Sequence, residues 1–462
     1  MQLLDLITIF IFALGIVIMG LSFSGKGRNM KSFFAAGGAV PWAMSGLSLF
    51  MGFFSAGTFV VWGSIAYSLG WIAISIQWTM AIAGFVVGFF IAPRWHKTSA
   101  LTVAEYITRR LGVNTQKTYT YLFLFISLFT TGSFLYPVAK IVEVSTGMPL
   151  DLCILLLGGF CIVYVAAGGL WAVVSTDVLQ FIILTAAVLI VVPLSFGRVG
   201  GVVNFIESIP ATYFNLVNGE YTIGFIIAFG VYNAIFLGGN WAYVQRYASV
   251  NSQSSARKVG FLFGGLYVVS AVLWMLPPMI YRIVNPSLST IDAEGAYLMM
   301  CKEVLPAGLL GLMLSGMVFA TASSLNATLN ISSGVVTNDI FKRLFPQSSD
   351  KTLMRVARIS TIIFGLLAII VALLIPLMGG IVNVVISVAA LTGVPLYLPI
   401  IWTLFSKRQT EYSVITTTLV SLGANAFFKF ITPLWGFGFN RAEEMIVGVA
   451  FPVFCLIAFE LY

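Results

Sequence analysis

Residues 320–333 read Ala320-Thr321-Ala322-Ser323-Ser324-Leu325-Asn326-Ala327-Thr328-Leu329-Asn330-Ile331-Ser332-Ser333. More than half of them carry a hydroxyl or an amide: Thr321, Ser323, Ser324, Asn326, Thr328, Asn330, Ser332 and Ser333. Scattered Ser and Thr can bond back to their own helix, but this density is more than packing needs. The surroundings sharpen the point. The chain has 462 residues, 59% of them hydrophobic and 9% charged, with a mean hydropathy of +1.01. A soluble globular chain carries roughly 25% charged residues, so this one cannot cover an aqueous surface. Polar side chains inside hydrocarbon persist only where they face a cavity or a partner. An all-α membrane protein with an internal site is expected.

Working outward, apolar runs of bilayer-crossing length recur along the chain. The expected helices, about thirteen, are 3–21, 41–65, 69–93, 118–143, 149–167, 175–197, 223–244, 259–283, 304–330, 356–376, 379–404, 413–431 and 443–461. The first has no basic residue before it, and Lys26, Arg28 and Lys31 follow it. A signal peptide has the opposite order, so 3–21 is read as a retained helix with its N-terminus outside. An odd count then puts the C-terminus in the cytoplasm. Of the 24 basic residues, all but Lys140, Arg198, Arg282, Lys302, Lys429 and Arg441 fall on the segments this map places inside, Arg246 among them. That asymmetry is the positive-inside pattern of a cell-membrane protein. It also explains the net charge of +8 without nucleic acid, since no basic face with interleaved aromatics is present. No linker or soluble domain interrupts the chain, so 1–462 is read as one transmembrane domain with the lipid bilayer as its partner and no required oligomer.

Cys153, Cys161, Cys301 and Cys455 show no CxxC spacing, and the lone His96 lies in a loop where it is expected to be solvated. A zinc site cannot be assembled from these. Other polar interruptions join residues 320–333. Phe53-Phe54-Ser55-Ala56-Gly57-Thr58 puts Ser, Gly and Thr at mid-span. Such a turn either unwinds, freeing carbonyls for a cation, or packs closely through small residues. Gln77 needs a partner at mid-depth, either a solute or a neighbouring helix. Asp177, in Ser175-Thr176-Asp177-Val178-Leu179-Gln180, is read as a helix cap or a cation ligand. Neutral oxygens from two helices suit sodium better than a transition metal.

With these residues assembled, the chain resembles the sodium:solute symporter family over nearly its whole length. The resemblance is carried by Ser55-Ala56-Gly57-Thr58-Phe59, by Gly168-Gly169 through Asp177-Val178-Leu179-Gln180, by Gln245-Arg246, and by Ser323-Ser324 through Asn338-Asp339-Ile340. It implies the LeuT-type architecture, two inverted five-helix repeats with discontinuous helices at mid-membrane. The repeats would be 41–197 and 223–404, with the leading helix 3–21 before them and two trailing helices, 413–461, after. It implies a sodium site from the carbonyls of Met51, Phe54 and Ala320 and the hydroxyls of Ser323 and Ser324. In relatives that carry sialic acid, a second sodium uses an acid matching Asp177 and nearby serines. Here Asn326 and Ala327 occupy two of those positions, so Asp177 and Asn326 make an incomplete second site and one coupled sodium is expected.

The family's polar solute positions fall on Ser55, Thr58 and Gln77, while the arginine that holds a sialic acid carboxylate falls at about Thr130. Asn233 and Phe236 match positions that meet the sugar in relatives that carry galactose. The resemblance therefore implies sodium-coupled import of a small polar solute, a neutral sugar or sugar-like compound first and a small monocarboxylate or amino acid as the alternative. A channel would want rings of carbonyls or charges, and an enzyme a nucleophile–base pair or metal cluster; neither pattern is found. A proton carrier would place titratable groups in the pathway, where this chain offers neutral oxygens.

Overall fold

The computed structural model describes residues 2–24, 40–100, 102–164 and 170–461. The basic cluster Lys26, Arg28 and Lys31 and the Gly168-Gly169 pair lie outside the described residues. Helix forms within each expected range, interrupted at 52–55 and at Asn240, and no strand occurs among the described residues. The elements used below are α1 Leu3–Ser24, α2 Trp42–Met51, α3 Thr58–Leu69, α4 Trp71–Lys97, α5 Val103–Leu111, α6 Val113–Thr146, α7 Leu150–Tyr164 and α8 Leu170–Arg198. They continue as α9 Ile223–Gly239, α10 Trp241–Ala248, α11 Gln253–Val284, α12 Leu309–Val335, α13 Asp350–Leu374, α14 Ile381–Thr403, α15 Glu411–Trp435 and α16 Arg441–Leu461. Among the described residues eight helices are long and apolar enough to cross a membrane, nine if α9 and α10, bent by 60° at Asn240, count as one span. Shorter apolar helices fill the remaining expected spans.

Close packing follows from glycine. α11 lies against α4 and α2, and α4 against α9. Where α4 crosses α11, Gly84 and Gly88 meet Gly260 and Gly264. A Cβ at Gly84 would stand 2.7 Å from the Gly264 nitrogen, and one at Gly260 would stand 2.6 Å from the Gly88 Cα. Small residues four apart on both helices let the backbones touch, which is how helices associate where lipid removes the hydrophobic driving force.

The leading helix is bolted to α12. Asp5 Oδ1 accepts from the backbone N–H of Gly308 at 2.8 Å and of Gly311 at 3.1 Å, and Thr8 Oγ1 donates to the Gly308 carbonyl at 3.0 Å. An acid at a helix N-terminus meets orphan donors and the positive end of the dipole. Gly308 has φ +90°, a conformation that favours glycine.

Three residues read as solvent-facing turn out otherwise. Arg246, placed on a cytoplasmic segment, is buried in α10, and Lys140, placed outside, is buried beside Glu143, its Nζ 2.9 Å from that carboxylate. His96, expected in a solvated loop, is half-buried at the end of α4, with Nε2 3.0 Å from the Val250 carbonyl. The positive-inside rule locates charges by sequence position and is blind to helices that bend inward, as α10 does. Cys153 and Cys301 are buried free thiols, and Cys455 is a half-buried one.

Candidate functional site

The segment between α2 and α3 is the first element of the site. Residues 52–55 leave the helix, and the backbone bonds show why the break is stable. Ala56 N–H donates to Thr321 Oγ1 of α12 at 3.0 Å, and Thr58 N–H donates to the Ser55 carbonyl at 3.0 Å. In an unbroken helix those two donors would serve the carbonyls of Gly52 and Phe54. Thr321 itself donates to the Met317 carbonyl at 2.8 Å, so its oxygen is set to accept. A single threonine therefore diverts one rung of the ladder and fixes the break against α12.

Beside the break, Met51, Ala320 and Ser324 line a cavity of about 90 Å³. Ser324 Oγ is 3.5 Å from the Ala320 carbonyl, at the outer limit for a hydrogen bond, so its oxygen is not firmly committed. Phe54 is buried under Trp274, their rings stacked at 4.7 Å. The donor chemistry fits sodium: uncharged oxygens, some with their helical partners diverted, on two facing elements. The side chains of Ser323 and Asn326 lie outside the described residues. No group of three or more His, Cys, Asp or Glu forms a metal cluster among the described residues.

The same cavity holds a buried charged cluster. Ser48 Oγ donates to Asp177 Oδ2 at 2.5 Å, and Arg246 Nε lies 3.3 Å from Ser48 Oγ. Arg246 Nη1 also donates to the Ala242 carbonyl. Asp177 and Arg246 are thus linked through one hydroxyl across α8, α2 and α10, and burial of either alone would be costly. Sequence reading weighed Asp177 as a cap or ligand and used Arg246 as a cytoplasmic charge and a family mark. The hydroxyl that joins them, Ser48, carried no local signal.

A second cavity, of about 170 Å³, opens on the other face of the break. Ser55, Thr58, Gln77, Asn233 and Phe236, the five residues expected to meet solute, all line it. No charged side chain lines it among the described residues. Gln77 is buried and its Nε2 has no partner, which leaves an amide donor in a cavity where an unmade bond is expensive. Asn233 Nδ2 is committed, donating to Thr79 Oγ1 at 2.8 Å. Thr58 Oγ1 donates to the Phe53 carbonyl. Phe236 stacks on Tyr232 at 5.5 Å and meets Phe53 edge-on at 6.5 Å, so the wall is a set of aromatic rings. Thr130, at the position of the relatives' arginine, lies between the two cavities and lines both. The π-turn of α14 at Ala389–Gly393 supplies the opposite wall, including Thr392; sequence reading missed it.

A pocket that sets a few uncharged polar groups among aromatic rings, bounded by one broken helix and one bent helix, is the arrangement of a secondary transporter. Residues 33–420 match the sodium:solute symporter family, and the chain belongs to that family. A sodium/glucose cotransporter of Vibrio parahaemolyticus is 28% identical, with 93% of this chain and 86% of that protein covered. Sodium/glucose cotransporter 1 of Mus musculus is 25% identical, covering 99% of this chain and 76% of that one. Sodium/myo-inositol cotransporter 2 of Sus scrofa is 27% identical, covering 90% and 68%. Among solved structures, a Na+-coupled sialic acid symporter superimposes with a TM-score of 0.83 at 21% identity, covering 100% of this chain and 98% of that one. Mhp1, a nucleobase-cation-symport transporter, superimposes at 0.58 with 14% identity, covering 94% and 96%. The fold is thus LeuT-type, and the chain is a sodium-coupled, multi-pass solute symporter and not an enzyme.

Proposed function

We propose that this symporter imports a neutral polyhydroxylated solute, a monosaccharide or close relative, with one sodium ion. The observation that carries the substrate class is the unpartnered Gln77 amide, buried in a cavity without charged side chains. Hydroxyl and amide groups both donate and accept, which suits a polyol. A ring face can stack on Phe236, and the relatives named for glucose and myo-inositol carry solutes of the same chemistry. In this reading Ser55, Thr58, Gln77 and Asn233 hold the solute, with Asn233 presenting the oxygen of an amide whose nitrogen is already used.

Sodium is held by the carbonyls of Met51, Phe54 and Ala320 and the hydroxyls of Ser323 and Ser324. Asp177, linked through Ser48 to Arg246, is structural or modulatory and not, with Asn326, a second sodium site. The repeats run 41–197 and 223–404. The break at 52–55 lies early in the first and the bend at Asn240 early in the second, which supports this division. The N-terminus is outside and the C-terminus cytoplasmic.

Competition for sodium-driven uptake into proteoliposomes tests the substrate class. Glucose, galactose and myo-inositol are expected to compete, and lactate and alanine are not. Competition by the carboxylates alone would replace the sugar reading with an anionic one, the charge being met by sodium and helix-end amides.

A further inference from the structure

We infer that Asn425, on trailing helix α15 and outside both proposed repeats, is a positioning residue for the solute cavity, acting through the π-turn of α14. The inference rests on the reading of the larger cavity as the solute site. The cause begins in the sequence. Pro395 has no backbone N–H. That N–H would serve the carbonyl of Leu391 in α-helical register and that of Ala390 in π register. Asn425 Nδ2 donates to both, at 3.1 Å to Ala390 and 3.2 Å to Leu391. Within the turn Thr392 Oγ1 also donates to the Val388 carbonyl, at 2.8 Å. Buried backbone acceptors are almost always paired, and here the pairing comes from a helix that does not touch the cavity.

Two glycines show how tightly the turn is held. Any side chain at Gly448 of α16 would collide with the Ala390 carbonyl, and one at Gly393 with the ring of Tyr232 on α9. The turn is thus gripped by both trailing helices on one side, and its other side forms cavity wall with Ala389, Thr392 and Gly393. π-Turns of this kind concentrate at functional sites. The trailing pair sets the shape of that wall, and so the fit of the solute, while sodium binding at the other end of the site stays apart from it.

The test uses full-length protein in proteoliposomes and the best-transported member of glucose, galactose and myo-inositol. Asn425→Ala is expected to raise half-saturating solute about tenfold, equivalent to ~1.4 kcal/mol, with sodium binding in solute-free protein unchanged. Sodium-dependent thermal shift doubles as the check that each variant folds; Asn425→Leu replaces the alanine variant if it does not. Thr417→Val removes a buried hydroxyl on the same helix, about two turns away, and is expected to leave solute affinity alone. Pro395→Ala restores the missing N–H, so the double variant with Asn425→Ala should recover most of the lost affinity. Unchanged affinity in Asn425→Ala, an equal loss in Thr417→Val, or no recovery in the double variant would each overturn the inference. Gln77→Ala separates the two readings: a loss there with none at Asn425 sinks only the positioning role, and silence at both sinks the cavity assignment as well.

Discussion

At the residue scale, Ser324 offers the sharpest sodium test. Its hydroxyl reaches its own helix only at 3.5 Å, so replacing it removes a ligand without breaking a strong internal bond. Ser324→Ala is expected to weaken sodium binding by ~1–3 kcal/mol, read as a shift of the sodium titration of uptake to higher concentration. An unchanged titration would move the sodium site elsewhere. The two amides that line the larger cavity should differ. Gln77→Ala removes a donor with no protein partner, whereas Asn233 already spends its donor on Thr79. Half-saturating sugar should therefore rise about tenfold, ~1.4 kcal/mol, for Gln77→Ala and less for Asn233→Ala. Equal effects in uptake assays would count against this ranking. That Ser55, Thr58, Gln77, Asn233 and Phe236 share one cavity was legible in the sequence because each is a polar or matched position inside an apolar run. Thr321 was legible only as one polar residue among eight. Its use depends on Ala56, 265 residues away, and no local pattern reports a contact of that range.

At the scale of elements, the apolar periods located the helices and Ser55-Ala56-Gly57-Thr58 located a break, but the crossing of α4 and α11 was not readable. Gly84, Gly88, Gly260 and Gly264 are four of 44 glycines, and only the packed pair shows that their Cα atoms form a seam. Gly260→Val would push a side chain into the Gly88 backbone, since even a Cβ would stand 2.6 Å from it. Overpacking of this kind costs ~1–3 kcal/mol or more. The melting temperature of the purified protein should fall, while Gly265→Ala, whose Cβ meets nothing within 4 Å, should leave it in place. Similar melting of the two variants would mean that the seam adapts. The same blindness explains Arg246. A basic residue after an apolar run reads as cytoplasmic, and the 60° bend at Asn240 that turns α10 inward is invisible to hydropathy.

At the scale of the whole molecule, the coupling stoichiometry sets what the transporter can accumulate. One sodium ion moving down ~100 mV supplies about 2.3 kcal/mol, and a tenfold gradient adds roughly 1.4. Together they support on the order of 500-fold accumulation of a neutral solute. Reversal potentials in proteoliposomes should give one charge per solute, and two would restore Asp177 to a second sodium site. The orientation is tested by single cysteines in a background lacking Cys153, Cys161, Cys301 and Cys455. One introduced at Ser348 should react with an impermeant thiol reagent only from the cytoplasmic face, and one at Asn218 only from outside.

The grip of Asp5 and Thr8 on the start of α12 also sets a timetable for biosynthesis. The Asp5 carboxylate and the Gly308 N–H are 303 residues apart in the chain. At about 5–20 residues per second, the first helix enters the bilayer roughly 15–60 s before its partner leaves the ribosome. During that wait the Asp5 carboxylate has only the Gln2 N–H, on Oδ2, and its Oδ1 lacks both donors of α12. This contact therefore closes only after about two thirds of the chain has been made. Nascent chains stopped before residue 308 should be drawn to insertion chaperones and quality-control proteases, and chains stopped beyond α12 should escape them.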